Sequence, residues 1–263
     1  MSRLPRIVVT REAADANAVV DALEREGFDS WAVPTIAIGP PLDPAPHDAA
    51  LAGLSGFDWL AFTSIHAVEA VCTRPGWRAA WSAARTRIGV GAAGPGTAAR
   101  LARFGVPVTV TAELGGARAL AAALVPSTGD VAGTRVLWPR ADIASLELAD
   151  MLTAGGADVV TPIAYRTHAV PVADLALLVA ALADDAVQGV TFFSPSSANS
   201  LARVLGGTLG RLAGRVTLAA IGPTTAEALT DLGAPPDVVA PVPTARALAE
   251  ALARHFARTG AVS

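Results

Sequence analysis

The sequence predicts an α/β protein with mostly parallel sheets, built by an internal duplication. Short apolar runs typical of buried strands alternate along the 263 residues with segments whose apolar residues recur at helical spacing. Residues 90–101 read V-G-A-A-G-P-G-T-A-A-R-L, and residues 218–229 read L-A-A-I-G-P-T-T-A-E-A-L. Similar pairs recur in the same order about 130 residues apart, which indicates a repeat. Strands that alternate with helices favour parallel sheets with helices on both faces.

Turn and capping residues separate the elements of the first repeat. Gly27 suits the end of the first helix, and Thr63 with Ser64 can cap a later one. Residues 39–46, G-P-P-L-D-P-A-P, cannot continue a helix or a strand and are typical of a linker. We expect strands at residues 6–10, 30–38, 58–62, 87–93 and 106–111, and helices at 12–26, 97–104 and 116–124.

The same order of elements restarts after an expected loop at residues 126–133. Residues 245–252 read A-R-A-L-A-E-A-L, against A-R-A-L-A-A-A-L at residues 117–124. Pro195 suits the first turn of a helix, and Pro162 is expected to break a strand. We expect strands at residues 135–139, 159–165, 189–193, 216–221 and 238–239, and helices at 143–154, 173–182 and 245–252.

Composition excludes several classes of protein. With 52% hydrophobic residues the chain can bury a sizeable core, and a net charge of −3 predicts no nucleic-acid partner. Cys72 is the only cysteine, so an internal disulfide or a cysteine-based metal cluster is impossible. No apolar run is long enough to span a bilayer, and the first residues lack a signal-peptide pattern. We therefore expect a cytoplasmic protein without a membrane partner.

Polar residues cluster where the predicted strands end. Ligands of parallel α/β sheets bind outside the carboxyl ends of the strands, where the free N–H groups of helix N-termini favour anions. Any one of these residues could simply cap a helix, but the set as a whole favours a binding site in a cleft between two similar domains. The candidate binding residues are Thr10, Arg11, Ser64, Thr97, Arg140, Ser194, Ser196, Thr224 and Thr225.

Two other kinds of site are not expected. Residues 89–94 match G-x-G-x-x-G, but a dinucleotide site needs these glycines after a strand, and here they lie within one. The four histidines show no H-x-x-x-H or H-E-x-x-H spacing, so we expect no metal. Tyr165, the single tyrosine, ends a predicted strand and is either a half-buried aromatic or a residue that faces the cleft.

Six short motifs run in order over nearly the full length of the chain. They are R-I-V-V-T-R at 6–11, A-F-T-S at 61–64, A-G-P-G-T-A at 93–98, I-A-Y-R-T at 163–167, F-F-S-P-S at 192–196 and A-I-G-P-T-T-A at 220–226. Together they resemble the uroporphyrinogen-III synthase family. One departure is Ile65-His66 after A-F-T-S, where the family often has a proline or a polar or basic residue.

The resemblance implies two flavodoxin-like α/β domains joined by a two-stranded linker. One domain would comprise residues 1–38 with 170–263 and the other residues 45–163, with linkers at 39–44 and 164–169. A simple split near residue 130 is the alternative division. Because only two strands would connect the domains, we expect them to move and to close on the substrate.

The resemblance also implies an enzyme, a lyase of haem, sirohaem and cobalamin biosynthesis. Its small-molecule substrate would be hydroxymethylbilane, a linear tetrapyrrole with eight carboxylates, which the family cyclises with inversion of ring D and loss of water. Tyr165 matches the family tyrosine proposed to help the hydroxyl leave, and Thr97 and Thr225 match cleft threonines. No cofactor or metal is implied.

A non-catalytic two-domain sensor of a tetrapyrrole or another anion is the alternative function. Some relatives in the family are fused to DNA-binding regulatory domains, and this chain has no room for one after its last repeat helix, which favours the enzyme. We further expect a monomer that receives its substrate from hydroxymethylbilane synthase.

Overall fold

The structure, a computed structural model, describes residues 4–11, 13–112, 116–128 and 131–260. Its strands are β1 (Arg6–Val9), β2 (Asp29–Ala32), β3 (Ile36–Gly39), β4 (Trp59–Phe62), β5 (Gly89–Ala92), β6 (Val110–Thr111), β7 (Arg135–Leu137), β8 (Arg140–Ala141), β9 (Asp158–Val160), β10 (Ile163–Ala169), β11 (Gly189–Phe192), β12 (Thr217–Ala220) and β13 (Val238–Val239).

The helices alternate with these strands. They are α1 (Ala13–Arg25), α2 (Ala45–Ala52), α3 (Ile65–Cys72), α4 (Trp77–Ala84), α5 (Pro95–Arg103), α6 (Gly116–Thr128), α7 (Glu147–Ala154), α8 (Ala176–Ala183), α9 (Pro195–Val204), α10 (Pro223–Asp231) and α11 (Ala245–Thr259). Short 3-10 turns lie at Leu54–Gly56 and Val172–Leu175. No helix in the described ranges is both long and apolar enough to cross a bilayer.

The chain folds into two compact units. The first unit comprises Met1–Ala37 with His168–Ser263, and the second unit comprises Ile38–Thr167. The sheet of the first unit has the order β13-β12-β11-β1-β2, and all its pairs are parallel. Counted within the unit from β2, this is the order 2-1-3-4-5 of flavodoxin-like sheets.

The second unit repeats that sheet with equivalent strands. Its order is β6-β5-β4-β7-β9, again parallel throughout. Arg135 lies opposite Asp158 across β7 and β9, as Arg6 lies opposite Asp29 across β1 and β2. Both pairs also form a salt bridge, at 2.9 Å and 2.7 Å respectively. The duplication therefore extends to individual contacts.

Each sheet combines strands from both repeats. The first unit takes β1 and β2 from the first repeat but β11, β12 and β13 from the second. The second unit takes β4, β5 and β6 from the first repeat and β7 with β9 from the second. The two repeats have therefore exchanged their opening strands.

Helices cover both faces of each sheet because side chains alternate along buried parallel strands. In β1, Val8 packs into one hydrophobic cluster, while Ile7 and Val9 pack into the cluster on the other face. In β4, Phe62 belongs to one cluster and Trp59 to the other. All five side chains are buried, which accounts for the near-continuous apolar runs of these strands.

A small third sheet, of order β3-β10-β8, contains the connections between the units. Both boundaries between the units fall within strands, between Ala37 and Ile38 in β3 and between Thr167 and His168 in β10. The connection is therefore made of two strands, in agreement with the expected two-stranded linker.

Close packing explains the glycines of the G-x-G-x-x-G match. Gly89 and Gly91 lie within β5, as expected. A Cβ atom at Gly89 would lie 2.7 Å from the Trp59 ring, and one at Gly91 would lie 3.1 Å from Leu120 and Leu124. These glycines let neighbouring side chains approach the strand.

Several predicted bounds are wrong, and proline patterns account for some of the errors. The expected strand at 30–38 is two strands, β2 and β3, divided around Pro34. The expected linker at 39–46 already contains the start of α2, which has proline in its first turn. Helix α6 continues to Thr128, beyond the expected start of a loop at 126, and α7 begins only at Glu147 rather than at 143.

Candidate functional site

In each unit the parallel strands end at one edge of the sheet, and the candidate residues follow those ends. In the second unit, β4 ends at Phe62 and Ser64 caps α3, its Oγ accepting the His66 backbone N–H at 3.0 Å. Ser64 has extended backbone dihedrals, which is the usual geometry of a capping serine.

Tyr165 meets this helix start from β10. Its hydroxyl donates to Ser64 Oγ at 3.0 Å, although 101 positions separate the two residues in the chain. The ring is only 7% exposed, and the His66 ring lies beside it, with centroids 5.8 Å apart. Ser64 Oγ thus accepts two hydrogen bonds, which leaves its own proton to be donated elsewhere.

Within the described ranges, helices α5 and α10 begin without a side-chain cap. Their N-cap residues are Gly94 and Gly222, each followed by a proline in the first turn. Among the residues that the structure describes, no side chain accepts the free N–H groups at these two starts, in contrast to those of α3. Thr97 and Thr225 lie in these first turns and are 7% and 4% exposed. Both starts are suited to hold anions.

The first unit presents a serine cluster at the start of α9. Ser194 caps the helix by accepting the Ser197 N–H at 3.2 Å, and its Oγ also lies 2.9 Å from Ser196 Oγ. Thr224, at the start of α10, is exposed. Hydroxyl groups of Ser194, Ser196 and Thr224 therefore follow neighbouring strand ends of one sheet.

Thr10 and Arg11 follow β1 in the same unit and have different environments. Thr10 is fully buried, and its hydroxyl donates to the Thr191 carbonyl at 2.8 Å, so in this structure the hydroxyl holds β1 to β11. The Arg11 guanidinium lies 5.2 Å from the centre of the Phe193 ring.

Arg140 lies in a pocket of about 420 Å³ in the second unit. Its Nη1 donates to the carbonyls of Ala141 and Asp142, while its Nε is buried without a hydrogen-bond partner among the described residues. Arg166 lines the same pocket, and Tyr165 does not. The structure therefore places Arg140 in one pocket with Arg166 and leaves Tyr165 outside that pocket.

Two residues of this edge were not among the predicted site residues. His66 lies against Tyr165, and the sequence singled it out only as part of the Ile65-His66 departure from the family pattern. Arg166 adjoins Tyr165 in the I-A-Y-R-T motif, but nothing in the motif indicated that it would line a pocket with Arg140. Among the residues that the structure describes, no group of three or more His, Cys, Asp or Glu side chains could hold a metal ion.

Comparison with known proteins identifies relatives over most of the chain. The model of the family described as Uroporphyrinogen-III synthase HemD matches residues 17–250. A uroporphyrinogen-III synthase of Synechococcus elongatus is 32% identical over 233 residues, which is 83% of each chain. Among solved structures, a mutant uroporphyrinogen III synthase of Thermus thermophilus has a TM-score of 0.66 at 18% identity, covering 97% of this chain and 99% of that one. The Helicobacter pylori uroporphyrinogen-III synthetase has a TM-score of 0.57 at 19% identity, covering 94% and 97%.

Proposed function

This chain belongs to the uroporphyrinogen-III synthase family, and we propose that it cyclises hydroxymethylbilane to uroporphyrinogen III with Tyr165 as its catalytic residue. The observation that carries the proposal is the hydrogen bond from the Tyr165 hydroxyl to Ser64 at the carboxyl edge of the sheet. It holds an O–H donor in a fixed position at the edge where ligands of such sheets bind.

Tyr165 is proposed to assist loss of the substrate hydroxyl as a general acid. The phenol proton goes to the leaving hydroxyl as the carbon–oxygen bond breaks, which releases water. Loss of the proton from the adjacent pyrrole nitrogen gives a neutral azafulvene and returns a proton to the phenolate. Before substrate binds, Ser64 Oγ accepts a hydrogen bond from the Tyr165 hydroxyl and keeps the phenol oriented.

Ring D inversion requires attack at a substituted carbon, followed by fragmentation and reclosure. The bilane is reactive enough to cyclise unaided to the other isomer, so the protein must chiefly hold the two ends of the chain in the correct geometry. Orientation of this kind can supply several powers of ten in rate without further acid or base groups. A site with hydroxyls and backbone N–H groups but few titratable side chains suits that task.

The substrate carboxylates are proposed to bind at the polar edges of both units. The uncapped starts of α5 and α10 supply backbone N–H groups beside Thr97, Thr224 and Thr225. Ser194 and Ser196 add hydroxyls, while Arg11 and Arg140 add charge-assisted donors. Because the chain carries a net charge of −3, binding of eight carboxylates depends on local donors of this kind.

The two units are proposed to act as the two domains expected from the resemblance, in a monomer of the cytoplasm. The bilane is proposed to arrive directly from hydroxymethylbilane synthase, since a substrate that cyclises unaided gains from a short time in solution.

The test is to supply freshly prepared hydroxymethylbilane and to separate isomers I and III of the product. We expect isomer III with the protein and isomer I in the control without it. Isomer I in both reactions would contradict the enzyme proposal and would favour the non-catalytic sensor.

A further inference from the structure

The second unit contains another pocket, of about 830 Å³, away from the candidate site. It is formed where α3 and α5 end and α4 begins. Its lining is rich in arginine and aromatic side chains and includes Arg74, Trp77, Arg78, Trp81, Arg103 and Phe104. Nothing in the proposed reaction uses these residues.

Two helices separate this pocket from the catalytic edge. Helix α3 begins after Ser64 and ends at Cys72, and α5 begins after Gly94 and ends at Arg103. With 8 and 9 residues, these helices span roughly 12 to 14 Å at the rise of an α-helix. The pocket therefore lies at the opposite ends of the helices whose first turns form the candidate site.

Two tryptophans form an aromatic wall. Trp77 and Trp81, one turn apart on α4, stack with ring centroids 5.4 Å apart and an interplanar angle of 17°. Trp77 is 4% exposed, whereas Trp81 is partly exposed, so Trp81 offers ring surface to the pocket. Phe104, also partly exposed, lines the pocket as well. Surfaces of this kind favour a flat ring that can stack on them.

The charge of the pocket is positive. Arg74 is neutralised by its salt bridge to Asp48, with Nε 2.6 Å from the carboxylate. Arg78 and Arg103 are exposed, and neither makes an ion pair or hydrogen bond with the residues that the structure describes. Cys72 also lines the pocket, but burial and then the Glu69 charge raise the pKa of its thiol to about 12, so it does not supply a thiolate.

The corresponding corner of the first unit lacks these features. Helix α10 has Asp231 and Leu232 at the positions that Arg103 and Phe104 occupy after the equivalent start of α5. After α9 the chain buries Leu209 and Leu212, where the second unit places α4. The first unit therefore builds the same frame without an aromatic residue or an arginine at these positions.

We propose that this pocket binds a planar aromatic anion, with its ring against Trp81 and Phe104 and its negative group between Arg78 and Arg103. Stacking on an aromatic wall selects a flat ring, and two arginines without partners among the described residues select a carboxylate or a similar anion. The pocket volume lies within the range of small-molecule sites.

The test is calorimetric titration of the full chain with three probes. Pyrene-1-carboxylate is flat and anionic, 1-pyrenemethylamine is flat and cationic, and cyclohexanecarboxylate is anionic without a flat ring. We expect saturable binding of the first probe and binding at least roughly tenfold weaker of the other two, since each lacks one of the two recognised features. Equal binding of the cationic and anionic pyrenes, or no saturable binding of pyrene-1-carboxylate, would overturn the proposal.

Variants of the lining residues test whether pyrene-1-carboxylate binds in this pocket. Arg103→Gln and Trp81→Leu should each weaken pyrene-1-carboxylate binding roughly tenfold, with circular dichroism used to check the fold. Arg211→Gln, at an exposed arginine near the corresponding corner of the first unit, is the matched control and should bind as the wild type does. Equal weakening in all three variants would show non-specific charge attraction and contradict the site. Tyr165→Phe should leave probe binding unchanged, which separates this inference from the proposed catalytic function.

Discussion

The two units join a linker strand to a serine-capped helix in different ways. In the first unit, Thr35, just before β3, donates to the Ser197 carbonyl at 3.1 Å, and the Ser200 hydroxyl donates back to the Thr35 carbonyl. All three residues are at most 2% exposed. In the second unit, Tyr165 of β10 donates instead to the partly exposed Ser64 hydroxyl.

The two contacts join a linker strand to a helix start, but one has a structural use and the other a chemical one. The Thr35 and Ser200 hydroxyls both donate to buried backbone carbonyls, so this contact only joins the strand to the helix. The Tyr165 hydroxyl instead donates to another side-chain hydroxyl, and it can donate to a ligand in place of Ser64 when a ligand binds. The duplicated fold thus has a closed corner at Thr35, Ser197 and Ser200, and a second corner at Tyr165 and Ser64 that can donate a proton.

The largest effect is expected from Tyr165→Phe. Removing only the hydroxyl should lower the rate of isomer III formation at least about 100-fold, because the leaving group loses its acid. The free energy of unfolding should fall by only about 1 kcal/mol, the typical net value of one hydrogen bond. Steady-state kinetics and denaturant unfolding measure the two quantities. Turnover at the wild-type rate would remove Tyr165 from the mechanism.

Gly222→Asp compares a capped with an uncapped helix start in the first unit. An aspartate there can cap α10 and stabilise the protein by about a few tenths of a kcal/mol, because glycine is itself a tolerated N-cap residue. It should also raise KM roughly tenfold, because its carboxylate occupies the N–H groups proposed for the substrate and repels it.

A Cβ atom at position 222 would have no atom of a non-adjacent described residue within 4 Å, so the Gly222→Asp substitution introduces no clash at Cβ. Gly222→Ala, which adds a Cβ without an acceptor, is the control and should leave KM nearly unchanged. A stabilised Gly222→Asp variant with wild-type KM would argue against anion binding at α10.

Thr35→Val tests the closed corner. Loss of the hydroxyl leaves the buried Ser197 carbonyl without this donor and should lower the free energy of unfolding by about 1–3 kcal/mol. Activity per folded molecule should not change, because the hydroxyl is buried and takes no part in the reaction. A variant of normal stability but reduced activity would show that the corner is not purely structural.

The buried His47 should make the free energy of unfolding depend on pH. Its side chain is 1% exposed, and neither ring nitrogen has a hydrogen-bond partner among the described residues. Burial, and then the nearby Arg74 charge, lower the pKa of His47 below its usual 6.5. The unfolded chain therefore binds a proton that the folded protein does not, and stability should fall as pH decreases through about 6.5.

Unfolding in urea between pH 7.5 and 5 measures this effect in matched variants. His47→Leu should reduce the loss of stability on acidification, whereas His255→Leu, at a partly exposed histidine, should retain it. An unchanged pH profile in His47→Leu would contradict the assignment.

Local patterns predicted most strands and the helix starts that carry the candidate site. The apolar runs of β4, β5, β11 and β12 and the G-P turns after two of them are read from adjacent residues. Helix α4 was missed because it begins after Gly76, in the left-handed region at φ 86°, without a capping side chain. Helix α2 was hidden in a segment where prolines were interpreted as breakers rather than as first-turn residues.

Contacts between distant segments could not be predicted in the same way. The sequence indicated two similar repeats, but the 2-1-3-4-5 strand order and the register of the exchanged strands depend on pairing between them. Tyr165 was predicted as catalytic from its motif, while its partner Ser64 lies 101 positions away and was predicted as a helix cap and a binding residue, without any link to Tyr165. The bond between them depends on where β10 places the ring.

The most direct test of the account is a single-turnover experiment with enzyme in excess over hydroxymethylbilane. Wild type, Tyr165→Phe and Thr35→Val are compared at equal concentrations of folded protein, and bilane loss is followed by rapid quenching. We expect Tyr165→Phe to slow formation of isomer III at least about 100-fold and Thr35→Val to match the wild type. Equal rates for wild type and Tyr165→Phe, or an equal loss in both variants, would contradict the claim that only the Tyr165 corner takes part in the chemistry.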